Sequence, residues 1–134
     1  MCGIALILLL ALVLLAGCSN RPAPVDQLQS AAQTARFEEG AWRDDMGSDL
    51  IIARDENGDY RVDYSIYKLT YMEGAAGLYD ISTGALSFSG TDDNGHMLSG
   101  TIARKDDHLV VTLTESACSD CPAGTSFDFY PEKN

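Results

Sequence analysis

Leu50-Ile51-Ile52-Ala53-Arg54-Asp55-Glu56-Asn57-Gly58-Asp59-Tyr60-Arg61-Val62-Asp63-Tyr64-Ser65-Ile66 reads as two apolar segments around one polar turn. Asn57-Gly58 supplies residues that tolerate a positive φ, which tight hairpin turns require. In the second segment Tyr60, Val62, Tyr64 and Ile66 fall on one side and Arg61, Asp63 and Ser65 on the other. That period of two belongs to a strand with one buried and one wet face. The stretch predicts a β-hairpin with an aromatic inner face.

Downstream the same pattern recurs, with strands predicted at 77–81, 85–90, 97–105, 108–115 and 125–130. Asp92-Asp93-Asn94-Gly95 and Lys105-Asp106-Asp107 mark tight connections between them. From Phe37 on, no stretch of ten or more residues has helical periodicity. Sequential hairpins without crossover helices predict an all-β domain over 37–134. Its expected form is a small antiparallel up-and-down barrel or strongly curled meander of seven to eight strands, with a two-sheet sandwich as the alternative. The side chains expected inside are Leu50, Ile52, Tyr60, Val62, Tyr64, Ile66, Leu86, Phe88, Leu98, Ile102, Leu109, Val111, Leu113, Phe127 and Phe129.

Upstream, an apolar run of 13 residues, Ile4 to Ala16, meets Gly17 and Cys18. It falls short of the roughly 20 residues a membrane-spanning helix needs and is closed by small residues, which predicts a signal peptide over 1–17. Leu15-Ala16-Gly17-Cys18 resembles the bacterial lipobox, and the resemblance implies cleavage before Cys18 and acylation of its thiol. Met1-Cys2-Gly3 lacks the usual Lys or Arg, which points to a translation start upstream or to a weak insertion signal. Ser19 after the acylated cysteine resembles lipoproteins sent to the outer membrane of two-membraned cells, which implies a lipid-anchored, periplasmic location there. Residues 18–36 read as the lipidated N-terminus and a spacer. Pro22 and Pro24 discourage regular structure, and Leu28, Ala31, Ala32 and Ala35 allow at most a short helix.

The chain of 134 residues carries 20 Asp and Glu against 9 Lys and Arg, a net charge of -11. This balance argues against nucleic acid and anionic headgroups as partners and favours a cationic one, solvation being the plainer explanation. Gly40-Ala41-Trp42 resembles the start of the lipocalin and calycin families, whose first barrel strand carries Gly-x-Trp. That resemblance implies a barrel able to hold a small apolar ligand, for which Trp42, Tyr60, Tyr64 and Phe88 are the candidate binding residues. The acidic tethered design also resembles the membrane-bound inhibitors of c-type lysozyme. Ser99-Gly100 and Ser89-Gly90 match the first two positions of their Ser-Gly-x-x-Tyr signature, and the tyrosine is absent.

With Cys2 removed and Cys18 lipidated, Cys118 and Cys121 remain as an even pair expected to form a disulfide. Cys118-Ser119-Asp120-Cys121 also has the spacing of a redox motif, but its place between strands denies it the helix N-terminus that activates such thiols. His96 and His108 sit near predicted turns, and no nucleophile stands in a recognisable elbow. Asp55, Asn57 and Asp59 echo half a calcium loop, but Tyr60 replaces its glycine and Ile66 its closing glutamate. The expectation is a membrane-anchored, non-catalytic binding or inhibitor module without cofactor or metal, acting on a basic protein or small apolar ligand. A structural envelope component is the alternative, and a thiol-disulfide redox protein a distant third.

Overall fold

The computed structural model describes residues 36–133. The signal peptide expected over 1–17, Cys18 and all of the expected spacer but Arg36 lie outside the described residues. Eight strands follow one another: β1 (Gly40–Arg43), β2 (Asp49–Arg54), β3 (Tyr60–Ile66), β4 (Thr70–Asp80), β5 (Ala85–Thr91), β6 (Met97–Lys105), β7 (His108–Glu115) and β8 (Ser126–Pro131). Each pairs antiparallel with the next, and β8 returns to β1, so the sheet is a closed barrel and neither an open meander nor a sandwich. Closure rests on two residue pairs, Trp42 with Pro131 and Arg43 with Tyr130.

Alternation builds the interior. In β3 every second residue, from Tyr60 to Ile66, is buried, and Leu50 and Ile52 face them from β2 in register with Tyr64 and Val62. Fourteen of the fifteen side chains expected inside are buried; Phe127 is only half-buried and packs against the core's margin. One flank is uncovered because β1 ends at Arg43, opposite Tyr130, so Phe127 has β7 beside it, through Val111, but no strand on its other side. The core also holds Phe37, Trp42, Met72, Ala75 and Cys121, which alternation did not single out.

β4 starts at Thr70 rather than near residue 77. Its pairing with β3 shifts register between Val62 and Tyr64, and the outward Glu73 and Gly74 fall side by side between the buried Met72 and Ala75. A bulge of this kind interrupts the period of two and hides the strand from a pattern search.

One turn design closes three hairpins: Asp44-Asp45-Met46-Gly47-Ser48, Asp55-Glu56-Asn57-Gly58-Asp59 and Asp92-Asp93-Asn94-Gly95-His96. In each, Oδ1 of the first aspartate accepts the amides two and four residues on, at 2.7 to 3.0 Å. The glycine in each turn has a φ between 82° and 91°, a region that favours residues without a side chain. At Asp55 burial disfavours the charge, but the amides of Asp59 and Asn57 and the nearby Arg61 outweigh it and hold the carboxyl below the usual range. At Asp92 the His96 amide leads, joined by the Asn94 amide, and the result is again a lowered pKa against some burial. A carboxyl with a lowered folded pKa contributes stability that is present above its unfolded value, about 4, and is lost as pH falls through the folded value. Urea melts are therefore expected to weaken below about pH 4. The double variant Asp55→Asn, Asp92→Asn should flatten that fall, and an unchanged pH profile would refute the assignment.

The four connections β1–β2, β3–β4, β5–β6 and β7–β8 share one end of the barrel, called here the turn end. At the opposite end Phe37 acts as a plug. Its backbone N–H donates to Tyr60 Oη at 2.8 Å, and its ring meets Tyr79 at a centroid distance of 5.8 Å.

Candidate functional site: an acidic cleft on the outer face

The four aromatic residues expected to bind a ligand are all buried. Tyr64 packs on Phe88 and Phe129 with centroids 5.7 Å apart, and Tyr60 is engaged by the Phe37 plug. Gly100 admits the edge of Phe88 so closely that a Cβ there would stand 2.7 Å from the ring. The interior is thus filled by its own side chains, as expected of a barrel of eight strands. Two polar atoms inside, Trp42 Nε1 and Tyr64 Oη, have no hydrogen-bond partner among the described residues. Burial, with the charge of Asp44 adding to it, pushes the Tyr64 phenol far up, so it stays neutral.

Concavity lies outside instead. Strands β1 to β4 present two cross-strand ladders outward, Ala41 with Ile51 and Asp63, and Arg43 with Asp49, Ser65 and Tyr71. Between them, flanked by Glu132, runs a cleft of about 300 Å³. The small side chains of Ala41 and Ser65 leave the depression, and Ile51, 44% exposed, gives it an apolar floor. Arg43 Nε donates to Asp49 Oδ1 at 2.7 Å and its Nη1 lies 3.7 Å from Glu132. Across the cleft Asp63 accepts the Gly74 amide at 2.6 Å and has no ion pair among the described residues. Three carboxylates against one guanidinium leave two negative charges in excess among the lining residues. Tyr71 donates its hydroxyl to Glu73 at 3.0 Å, and this bond, with some burial and the charges of Glu73 and Asp63, raises the phenol's pKa.

Sequence reading passed over this cleft because outward positions read as wet. Its signal was there in Ile51 and Tyr71, large apolar residues on the polar side of the alternation.

Cys118 and Cys121 stand at disulfide-bonding distance, with Cα atoms 5.2 Å apart, in the β7–β8 connection. Cys121 is fully buried in the core cluster and Cys118 packs against it, while the described residues hold no helix whose N-terminus could activate either thiol. The pair fastens the last connection to the core. Closing so short a loop constrains the unfolded chain by about 2 kcal/mol. Reductant, or Cys118→Ala, is therefore expected to lower the melting temperature by roughly 10 °C. An unchanged melt would sink this role.

His108 stacks on Tyr130 with centroids 5.0 Å apart and lies 3.2 Å from Asp107 and 3.4 Å from Asp128. Its hydrogen bond holds the Asp107 carboxyl below the usual range. His96, in the β5–β6 turn, lies 3.8 Å from Asp92. The two histidines thus stand at opposite ends of the barrel, His96 in the β5–β6 turn and His108 as the first residue of β7. A scan against models of known protein families and searches of curated proteins and of solved structures find no match to this chain.

Proposed function

We propose that the chain is an envelope lipoprotein, held by acylated Cys18 to the periplasmic side of an outer membrane, whose barrel is a non-catalytic module for capturing a cationic protein. The observation that carries the capture reading is the contrast between a filled interior and an outer cleft with an apolar floor and three carboxylates against one guanidinium. A lysine or arginine side chain matches that cleft, with its aliphatic stem on Ile51 and its charge between Asp63 and Glu132. The alternative occupant, a small apolar ligand inside the barrel, would have to displace aromatic side chains that already pack on one another.

The test is an NMR titration of the barrel with a heptalysine peptide. Amide shifts are expected to concentrate at Ile51, Asp63, Ser65 and Tyr71 and to fade with added salt. Asp63→Asn keeps an acceptor for the Gly74 amide but loses the charge. It should weaken binding by at most about fivefold, the range of an exposed ion pair. Shifts spread evenly over every acidic turn would show general attraction and defeat the reading.

A further inference from the structure

We infer that the turn end of the barrel, centred on Tyr67 and Leu69, is the surface on which a folded basic protein docks; this rests on the capture reading above and names its second contact. The β3–β4 connection is a tight turn in which the Leu69 N–H donates to the Ile66 carbonyl at 2.9 Å. Its third residue, Lys68, has a φ of 61°, the left-handed region where such turns ordinarily place glycine or asparagine. Asp106, in the β6–β7 turn at the opposite end, shares that conformation with a φ of 55°, so it is the surface around the β3–β4 turn that distinguishes this end.

Around this turn the surface is apolar and firmly held. Tyr67 is 50% exposed, Leu69 38% and the neighbouring Met46 74%. The Tyr67 N–H donates to Oγ of the buried Ser48 at 3.1 Å, and the Lys68 ammonium lies 5.0 Å over the Tyr67 ring. On the other side, the Asp93 N–H donates to the Tyr71 carbonyl at 2.9 Å, which ties the β5–β6 turn to the base of the same hairpin. A rigid aromatic anchor loses little freedom on binding, which favours it as an interface centre.

Charge selects the occupant. The four connections at this end carry five aspartates, Asp44, Asp45, Asp92, Asp93 and Asp120, and one lysine. An apolar centre inside a charged rim is the anatomy of a protein interface, and an acidic rim fits a basic partner while repelling anionic lipid headgroups. The turn end also continues directly into the cleft, because Arg43, Asp49, Ser65 and Tyr71 flank its first two turns. Leu78 (75% exposed) and Ile81 (64%), near the β4–β5 hairpin at the opposite end, are more exposed than Tyr67 and Leu69 but have no such continuity. They serve as the comparison.

The test uses the full chain in the cells that make it, with a benzophenone side chain introduced in turn at Tyr67, at Ile51 in the cleft floor and at Leu78. Adducts are identified by mass. The expected result is an adduct at position 67 with a protein of net positive charge, absent or tenfold weaker at position 78. That protein, once purified, should bind Leu69→Ala at least tenfold more weakly than the unaltered chain. Adducts at position 67 with lipid, with an acidic protein or with a second copy of the chain would overturn the inference, as would unchanged affinity of Leu69→Ala. Adducts at position 51 with none at 67 would overturn it while leaving the cleft as the capture site. Adducts at neither position would defeat both.

Discussion

Phe129→Ala is expected to remove about 3–5 kcal/mol of stability, a large part of what a domain of this size has. Phe129 is the one fully buried side chain of β8, and its ring sits 5.7 Å from Tyr64. β8 is also the strand that closes the barrel, and it does so through two residue pairs and one flanking bond, in which the Glu132 N–H donates to the Ala41 carbonyl at 3.1 Å. Loss of the ring therefore opens a cavity and loosens the seam together. Urea unfolding should show a lower midpoint. Where the barrel opens before it unfolds, the slope should fall as well. A loss under about 1 kcal/mol would mean that β8 is not held by its core contact, a result far below the usual range for a buried phenylalanine.

Gly100→Ala is expected to cost about 3 kcal/mol, the upper end of what overpacking usually does. A Cβ at this position would stand 2.7 Å from Phe88 Cζ and 2.8 Å from the Thr112 carbonyl oxygen. The ring has some room to turn. The carbonyl belongs to the neighbouring strand and does not, and the β6–β7 register already shifts between Ser99 and Gly100. Gly58→Ala provides the contrast: its φ of 85° brings strain, but nothing lies within 4 Å, so thermal melts should rank it well above Gly100→Ala. Equal losses would show that conformation rather than crowding sets the requirement at Gly100. The Ser99-Gly100 pair lies within β6, in the strand predicted over 97–105, and its glycine makes room for an aromatic ring.

How much was legible follows the physics of each segment. Strands β3 and β5 to β7 were legible because alternation and turn chemistry agree there, and Tyr60 to Ile66 was read to the residue. Thr70 to Ala76 was not, because the bulge puts Glu73 and Gly74 side by side on the wet face and breaks the period. Trp42 and Phe37 lie in or before a strand of only four residues, too short to carry a period at all. Of the aromatic residues chosen as ligand contacts, Tyr60, Tyr64 and Phe88 were placed inside, where the structure has them, yet sequence does not tell a lining from a filling. That depends on whether rings such as Tyr64, Phe88 and Phe129 meet across the barrel. The outer cleft depends on registry among four strands, which no single strand's pattern contains.

The two-pair seam between β1 and β8 also governs when this protein becomes itself. Seven of the eight strand contacts join neighbours in sequence, so hairpins can form locally and fast as the chain emerges. The eighth joins Trp42 to Pro131 and must wait for nearly the whole domain. A chain that emerges N-terminus first during synthesis exposes β1, unpaired on one edge, until the very last strand arrives. The interval before that arrival is when the barrel is most open to proteases and to mispairing, and stopping the chain before residue 129 should prolong it indefinitely.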